Sequence, residues 1–201
     1  MAVKDKLINS ALKIFSKAGY REGRVADIAK HAKANIASIN YYFGSKEALF
    51  AEVLRHSFQI AEKKYPADGG LQPSASCEEK LAAFARSIIL RTLDSGPAGN
   101  YNRIMSLTVK SPGSPTGTLC DEVRALQVAP LRPLLEEYIG ENDEIVYQMA
   151  TFNFLSLSDI LAQFPDITAN VFGQSQDEDF KNTFIESQLK AVLAATKSLA
   201  R

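Results

Sequence analysis

The chain has 201 residues, 23 Lys and Arg balanced by 23 Asp and Glu, 46% hydrophobic residues and two cysteines. That length suits one substantial domain or two small ones. The absence of a long apolar run, and of an amino-terminal signal with a small-residue cleavage site, argues against a membrane-spanning or secreted chain and predicts a cytoplasmic one. Cys77 and Cys120 have no C-x-x-C spacing and His31 and His56 lie apart from both, so no metal and no cofactor is expected, and the thiols read as ordinary packed or exposed residues.

The charge is uneven. Up to Lys64 there are 12 Lys and Arg against 6 Asp and Glu, and from Tyr65 onward 11 against 17. A basic head on a neutral chain suits a polyanion held at one end. The first predicted helix, near Lys4 to Lys17, carries Leu7, Ile8, Ala11, Leu12, Ile14 and Phe15 as an apolar stripe, is closed by Gly19, and should pack across the next two helices, with Tyr20 tucked beneath. Arg24 stands just ahead of a second helix in which Val25, Ile28, Ala29 and Ala32 share one face. A turn at Lys33 and Ala34 leads to Asn35, whose side chain can cap a third helix, IASINYYF. Ile36, Ile39 and Phe43 fall on its inner side. The outer side is left to Ala37, Ser38, Asn40 and Tyr41, with Tyr42 near the end: a small, polar and aromatic face that fits a major groove. Gly44 ends this helix and Ser45 caps the next. Lys46 then sits in a first turn, where the helix dipole disfavours a cation unless an external anion joins it, and amides with a lysine make a phosphate clamp. The fourth helix runs on through Leu49, Phe50, Val53, Leu54, Phe58 and Ile60 to Lys63 and Lys64.

PADGGLQPSAS is the clearest break in the chain. Helices are predicted beyond it near 77–94, 99–110, 116–139, 143–163 and 178–199. No strand alternation, fixed-period repeat, nucleophile–base motif or glycine-rich phosphate loop is present, so the fold should be all-α and the chain not an enzyme.

The segments IAKHA, ANIASINYYF and SKEALF together resemble the TetR family of bacterial transcription regulators, and NIASINYYFGSKEALF is most similar to the subgroup typified by CecR. The resemblance is strong over the first quarter of the chain. It departs at Lys33, where the family usually has glycine, so a non-glycine residue must meet that turn. It implies a three-helix helix-turn-helix DNA-binding domain over 1–48 and a larger helical regulatory and dimerisation domain over 49–201. By the same resemblance Arg24 lies where the family meets the DNA backbone, to bind a phosphate or sit in water, and Ala37, Ser38, Asn40, Tyr41, Tyr42 and Lys46 complete the DNA-binding set.

For the second domain the family implies a small-molecule pocket. Apolar helices with isolated polar residues suggest Phe84, Ile88 and Arg91; Tyr101, Met105 and Thr108; and Cys120 and Val123 as its lining, each of them alternatively a core or rim residue. TFNFLSLSDILAQF is apolar nearly all round, and Phe184, Gln188, Ala191 and Ala195 stack along the final helix. With the family's homodimer, this places Leu155, Ser156, Asp159, Phe184, Gln188, Ala191 and Ala195 in a four-helix interface. The implied function is a ligand-responsive repressor binding a palindromic operator as a homodimer, its partners being double-stranded operator DNA, a second copy of itself and a small-molecule ligand, with no membrane. The competing reading is a small-molecule carrier or enzyme that retains a vestigial DNA-binding motif.

Overall fold

The structure, a computed structural model, describes residues 2–109, 122, 125–157 and 178–200. Helices α1 (Val3–Glu22), α2 (Val25–Ala32), α3 (Ile36–Phe43), α4 (Lys46–Lys64), α5 (Cys77–Leu93), α6 (Asn100–Val109), α7 (Leu131–Ile139), α8 (Glu144–Ser156) and α9 (Glu178–Lys197) are joined by turns and one 3-10 turn at Pro97–Gly99, with no strand among the described residues. None of the described helices is long and apolar enough to cross a membrane.

The chain divides into two compact units, Met1–Lys64 with Ser95–Leu126, and Tyr65–Asp94 with Gln127–Arg201. In the first, Leu7, Phe15, Ile28, Ile39, Leu49, Phe50, Val53 and Leu54 are fully buried in one core, which Tyr101 and Ile104 of α6 complete. The amphipathic stripes legible in the sequence are what this core consumes. Phe15 meets Phe50 edge-on at 5.0 Å, and Tyr20 does the same at 5.0 Å, so the ring of Tyr20 is tucked under α1 while remaining half-exposed. Gly19 breaks α1 with φ 71° and ψ −176°, a region open in practice to glycine alone, and α6 passes so close that a β-carbon there would lie 3.2 Å from Leu107 Cβ.

The α2–α3 turn is set locally. Lys33 takes the left-handed conformation, φ 53° and ψ 45°, and its amide donates to the carbonyls of Ala29 and Lys30. Asn35 Oδ1 accepts from the Ala37 amide at 2.9 Å, the predicted cap. Gly44 closes α3 at φ 77°, and Ser45 Oγ accepts from the Ala48 amide at 3.1 Å to begin α4. One expected core residue lies elsewhere: Ile36 is 48% exposed, because it occupies the first position of an eight-residue helix, before the helix reaches the core that buries Ile39 completely.

In the second unit α5, α7, α8 and α9 enclose Leu81, Phe84, Ile88, Leu131, Leu135, Tyr147, Phe154, Ile185 and Leu189. Ser76 and Glu79 form a capping box at the start of α5, the Glu79 carboxylate accepting from the Ser76 amide at 2.8 Å and the Ser76 hydroxyl from the Glu79 amide at 3.3 Å. The single helix predicted over 116–139 is interrupted by a turn at Ala129 and Pro130, where proline has no amide to continue the ladder, and α7 starts at Leu131. Tyr147 ties the α7–α8 connection, donating to the Gly140 carbonyl at 2.7 Å and accepting from the Asn142 amide at 3.2 Å.

Candidate DNA-binding surface

Burial of Ile39 fixes which way α3 faces. Ala37, Asn40 and Tyr41 are exposed together on the opposite side, with Ser38 half-buried and Tyr42 alongside. Tyr41 is 82% exposed and Tyr42 40%, their rings edge-on at 5.0 Å. Ala37, Ser38 and Asn40 are small enough for the helix to approach a groove closely, and the hydroxyl and amide groups of this face match base edges and phosphate oxygens. Arg24 is exposed as the residue capping α2 and gives that helix no side-chain hydrogen bond.

Lys46 is placed differently from a free-standing cation. Its Nζ lies 4.4 Å from the centre of the Tyr20 ring and donates to the Arg21 carbonyl at 3.3 Å. Partial desolvation lowers its pKa, against the pull of the neighbouring Glu47 and Glu22 carboxylates. Beside it the Tyr20 hydroxyl donates to Glu47 Oε1, and that bond, with those from the Glu47 amide and the Ser45 hydroxyl, holds the Glu47 carboxyl below its ordinary value. The first turn of α4 is thus bound to the end of α1. Sequence spacing places Lys46 at the helix start but does not indicate this brace, since Tyr20 lies in α1, with α2 and α3 between them in the chain.

The residues expected to line a ligand pocket fall into two groups. Phe84, Ile88 and Arg91 lie on α5 in the second unit, and Tyr101, Met105 and Thr108 on α6 in the first; Cys120 and Val123 lie outside the described residues. Each group packs within its own unit. Phe84 meets Phe154 edge-on at 6.1 Å, and Ile88 is 2% exposed. Arg91, also 2% exposed, donates to the Tyr65 carbonyl from Nε at 3.0 Å and Nη2 at 2.6 Å. Tyr101 packs on Phe58 at 5.4 Å, and Thr108 donates to the Ile104 carbonyl at 2.7 Å. A cavity of about 160 Å³ in the second unit is lined by neighbours of these α5 residues, Leu90, Leu93 and Asp94, with Tyr65, Lys181 and Ile185. The Tyr65 hydroxyl donates to Asp94 Oδ2 across it at 3.0 Å.

Of the expected interface residues, Leu155, Ser156, Phe184 and Gln188 are half-buried, Ala191 and Ala195 are exposed, and Asp159 lies outside the described residues. A further set was not singled out by sequence. Ile145, Met149 and Phe152 are 59%, 55% and 67% exposed and recur at helical spacing on one face of α8, opposite the buried Tyr147, Ala150 and Phe154. The signal was available in the helical period, but an all-round apolar helix does not reveal which of its faces the monomer covers.

Residues 7–53 match the family model described as bacterial regulatory proteins, tetR family. The HTH-type transcriptional repressor NicS of Pseudomonas putida is 47% identical over 84 residues, 40% of this chain and 39% of NicS. The biofilm operon icaADBC HTH-type negative transcriptional regulator IcaR of Staphylococcus aureus is 36% identical over 56 residues, 28% of this chain and 30% of IcaR. The match therefore spans less than half the length of either regulator. The transcriptional regulator FadR of Bacillus subtilis, in its crystal structure with stearoyl-CoA, superposes with a TM-score of 0.66 at 19% identity over 98% of this chain and 99% of FadR, so the fold is shared over nearly the whole length.

Proposed function

We propose that this chain, whose residues 7–53 match the tetR family model, is a ligand-responsive transcriptional repressor that binds a palindromic operator as a homodimer. The observation that carries the proposal is the orientation of α3: Ile39 is fully buried, which leaves Ala37, Asn40 and Tyr41 to face a groove. In this reading Asn40 and Ser38 read base edges. Arg24, Tyr42 and Lys46 hold phosphates on either side, and the positive balance of the first 64 residues supplies long-range attraction. The likeness of this module to that of a named repressor supports repression, and the run NIASINYYFGSKEALF supports a CecR-like subgroup.

Dimerisation follows from size. An eight-residue recognition helix spans about 12 Å, whereas two half-sites of an operator lie about 34–36 Å apart. We assign the second copy to the exposed faces of α8 and α9, Ile145, Met149 and Phe152 with Ala191 and Ala195, where small alanines allow close helix approach. The functional division is DNA reading by 1–48, and ligand binding with dimerisation by 49–201. Because FadR was crystallised with stearoyl-CoA, acyl-CoA thioesters are the first ligand class to test.

The test is specific, salt-sensitive binding of the full chain to a fragment of its own promoter. Binding there that random duplex does not match is the expected result, and equal affinity for both would overturn operator recognition. Ligand coupling is tested by reciprocity, since an acyl-CoA that lowers operator affinity must itself bind more weakly, by the same factor, in the presence of operator.

A further inference from the structure

We infer that the amino-terminal unit holds a second phosphate seat, in the cleft between α1 and the carboxy-terminal end of α2, built by Lys6, Lys13, Lys33 and His31 and fitted to a phosphodiester of the DNA backbone. The inference rests on the chain being a DNA-binding protein, and it adds residues that neither the motif nor the exposed face of α3 includes.

The cleft has a volume of about 260 Å³ and is lined by Lys6, Asn9, Ser10 and Lys13 from α1 and by His31 and Lys33 from the end of α2. On α1 these residues are three to four apart, so they stand one above another on a single face. No carboxylate lines the space, and Lys6, Lys13 and Lys33 enter no ion pair among the described residues. The nearby Asp5 is engaged with the Ala2 amide at 3.1 Å. Three ammonium groups around one concavity repel one another, and an anion at its centre turns that repulsion into attraction.

His31 adds a directed group. Its Nδ1 is 2.9 Å from the hydroxyl of Ser10, which is 4% exposed. When that hydroxyl donates to Nδ1, the neutral ring carries its proton on Nε2, a hydrogen-bond donor for a phosphate oxygen. Lys33 adds an independent sign. Among the described residues it is the non-glycine residue with positive φ, 53°, a conformation that glycine adopts without strain. A left-handed backbone at a non-glycine residue whose charged side chain lines a cleft points to a use for the side chain. Lys33 also stands two residues ahead of Asn35, the cap of α3, so an anion bound there flanks the start of the recognition helix. That adjacency favours a DNA phosphodiester over free phosphate, which shares the same oxyanion chemistry.

The experiment uses the full chain and two substitutions that preserve local structure: Lys33→Gly, which keeps the left-handed turn, and Lys13→Gln, at an exposed helix position. Affinity for a random-sequence duplex is measured over roughly 50–200 mM salt. Because the seat holds one phosphodiester, each substitution should make the slope of log K against log salt shallower by part of about 0.9, and the pair by about 0.9 in total, with thermal unfolding unchanged or raised. A double variant with the wild-type slope, while Lys46→Ala flattens it, overturns the seat and leaves the DNA-binding reading standing. Failure of the wild-type chain to bind duplex at low salt overturns both. In a second arm, inorganic phosphate is titrated at constant ionic strength while the His31 ring resonances are followed by NMR. Saturation there, combined with a wild-type salt slope in the double variant, would assign the cleft to free phosphate and overturn the DNA proposal.

Discussion

The Lys46 ammonium lies 4.4 Å from the centre of the Tyr20 ring. A cation–π contact of this kind, with the hydrogen bond to the Arg21 carbonyl, holds the lysine of the α4 first turn against the end of α1. The charge is thereby fixed at the start of α4, with the Glu47 and Glu22 carboxylates as neighbours. Lys46→Ala should weaken binding to all duplexes alike and flatten the salt dependence by about one unit. Tyr42→Phe should weaken binding uniformly with less change in slope, whereas substitutions at Asn40 and Ser38 should alter the ranking of operators. An unchanged salt slope in Lys46→Ala, measured by fluorescence anisotropy, would remove Lys46 from the phosphate contacts.

The Tyr20 hydroxyl is the largest cause of the lowered Glu47 pKa. A carboxyl whose folded value lies below its ordinary 4.5 contributes stability that is complete above that value and is lost as pH falls through the folded one. Tyr20→Phe keeps the ring under Lys46 and removes the donor. The Glu47 titration followed by NMR should therefore move up toward 4.5, and the variant should be less stable than wild type near neutral pH, the gap closing in acid. Solvent screening keeps that gap below about 1 kcal/mol. A Glu47 titration unmoved by the substitution would show that its other donors suffice.

Gly19 cannot be replaced cheaply. Its φ of 71° and ψ of −176° are unfavourable for any L side chain, and a β-carbon would sit 3.2 Å from Leu107 Cβ. Gly19→Ala should cost about 1–3 kcal/mol, and at this chain length should lower Tm by about 2–4 °C for each kcal/mol. Calorimetry showing an unchanged Tm would mean that α1 and α6 adjust around the extra methyl.

Phe152 is 67% exposed on α8, in line with Ile145 and Met149. Phe152→Glu should leave the fold of the monomer intact, because the side chain contributes little to the second core, while placing like charges across a two-fold contact. Light scattering at micromolar concentration should then report a monomer for the variant and a dimer for the wild-type chain. A variant that remains dimeric would locate the interface on another face.

What was legible in the sequence is local. The Asn35 and Ser45 caps, the glycine at Gly44, the turn at Lys33 and the burial of Ile39 all depend on residues within one or two helical turns, and the alternation of apolar and polar positions carries them directly. The all-helical class and the outward face of α3 come from the same short-range periodicities. Contacts between residues distant in the chain were decided by tertiary structure. The period of α6 marks Tyr101 and Ile104 as apolar but not that they complete the core of the first four helices, and Phe84 and Ile88 carry the same pattern yet pack in the other unit. Likewise the all-round apolar α8 cannot disclose that Tyr147 and Phe154 face inward while Met149 and Phe152 face solvent. Only assembly of the helices decides these matters, because an amphipathic stripe specifies that a face must be covered and says nothing of which distant segment covers it.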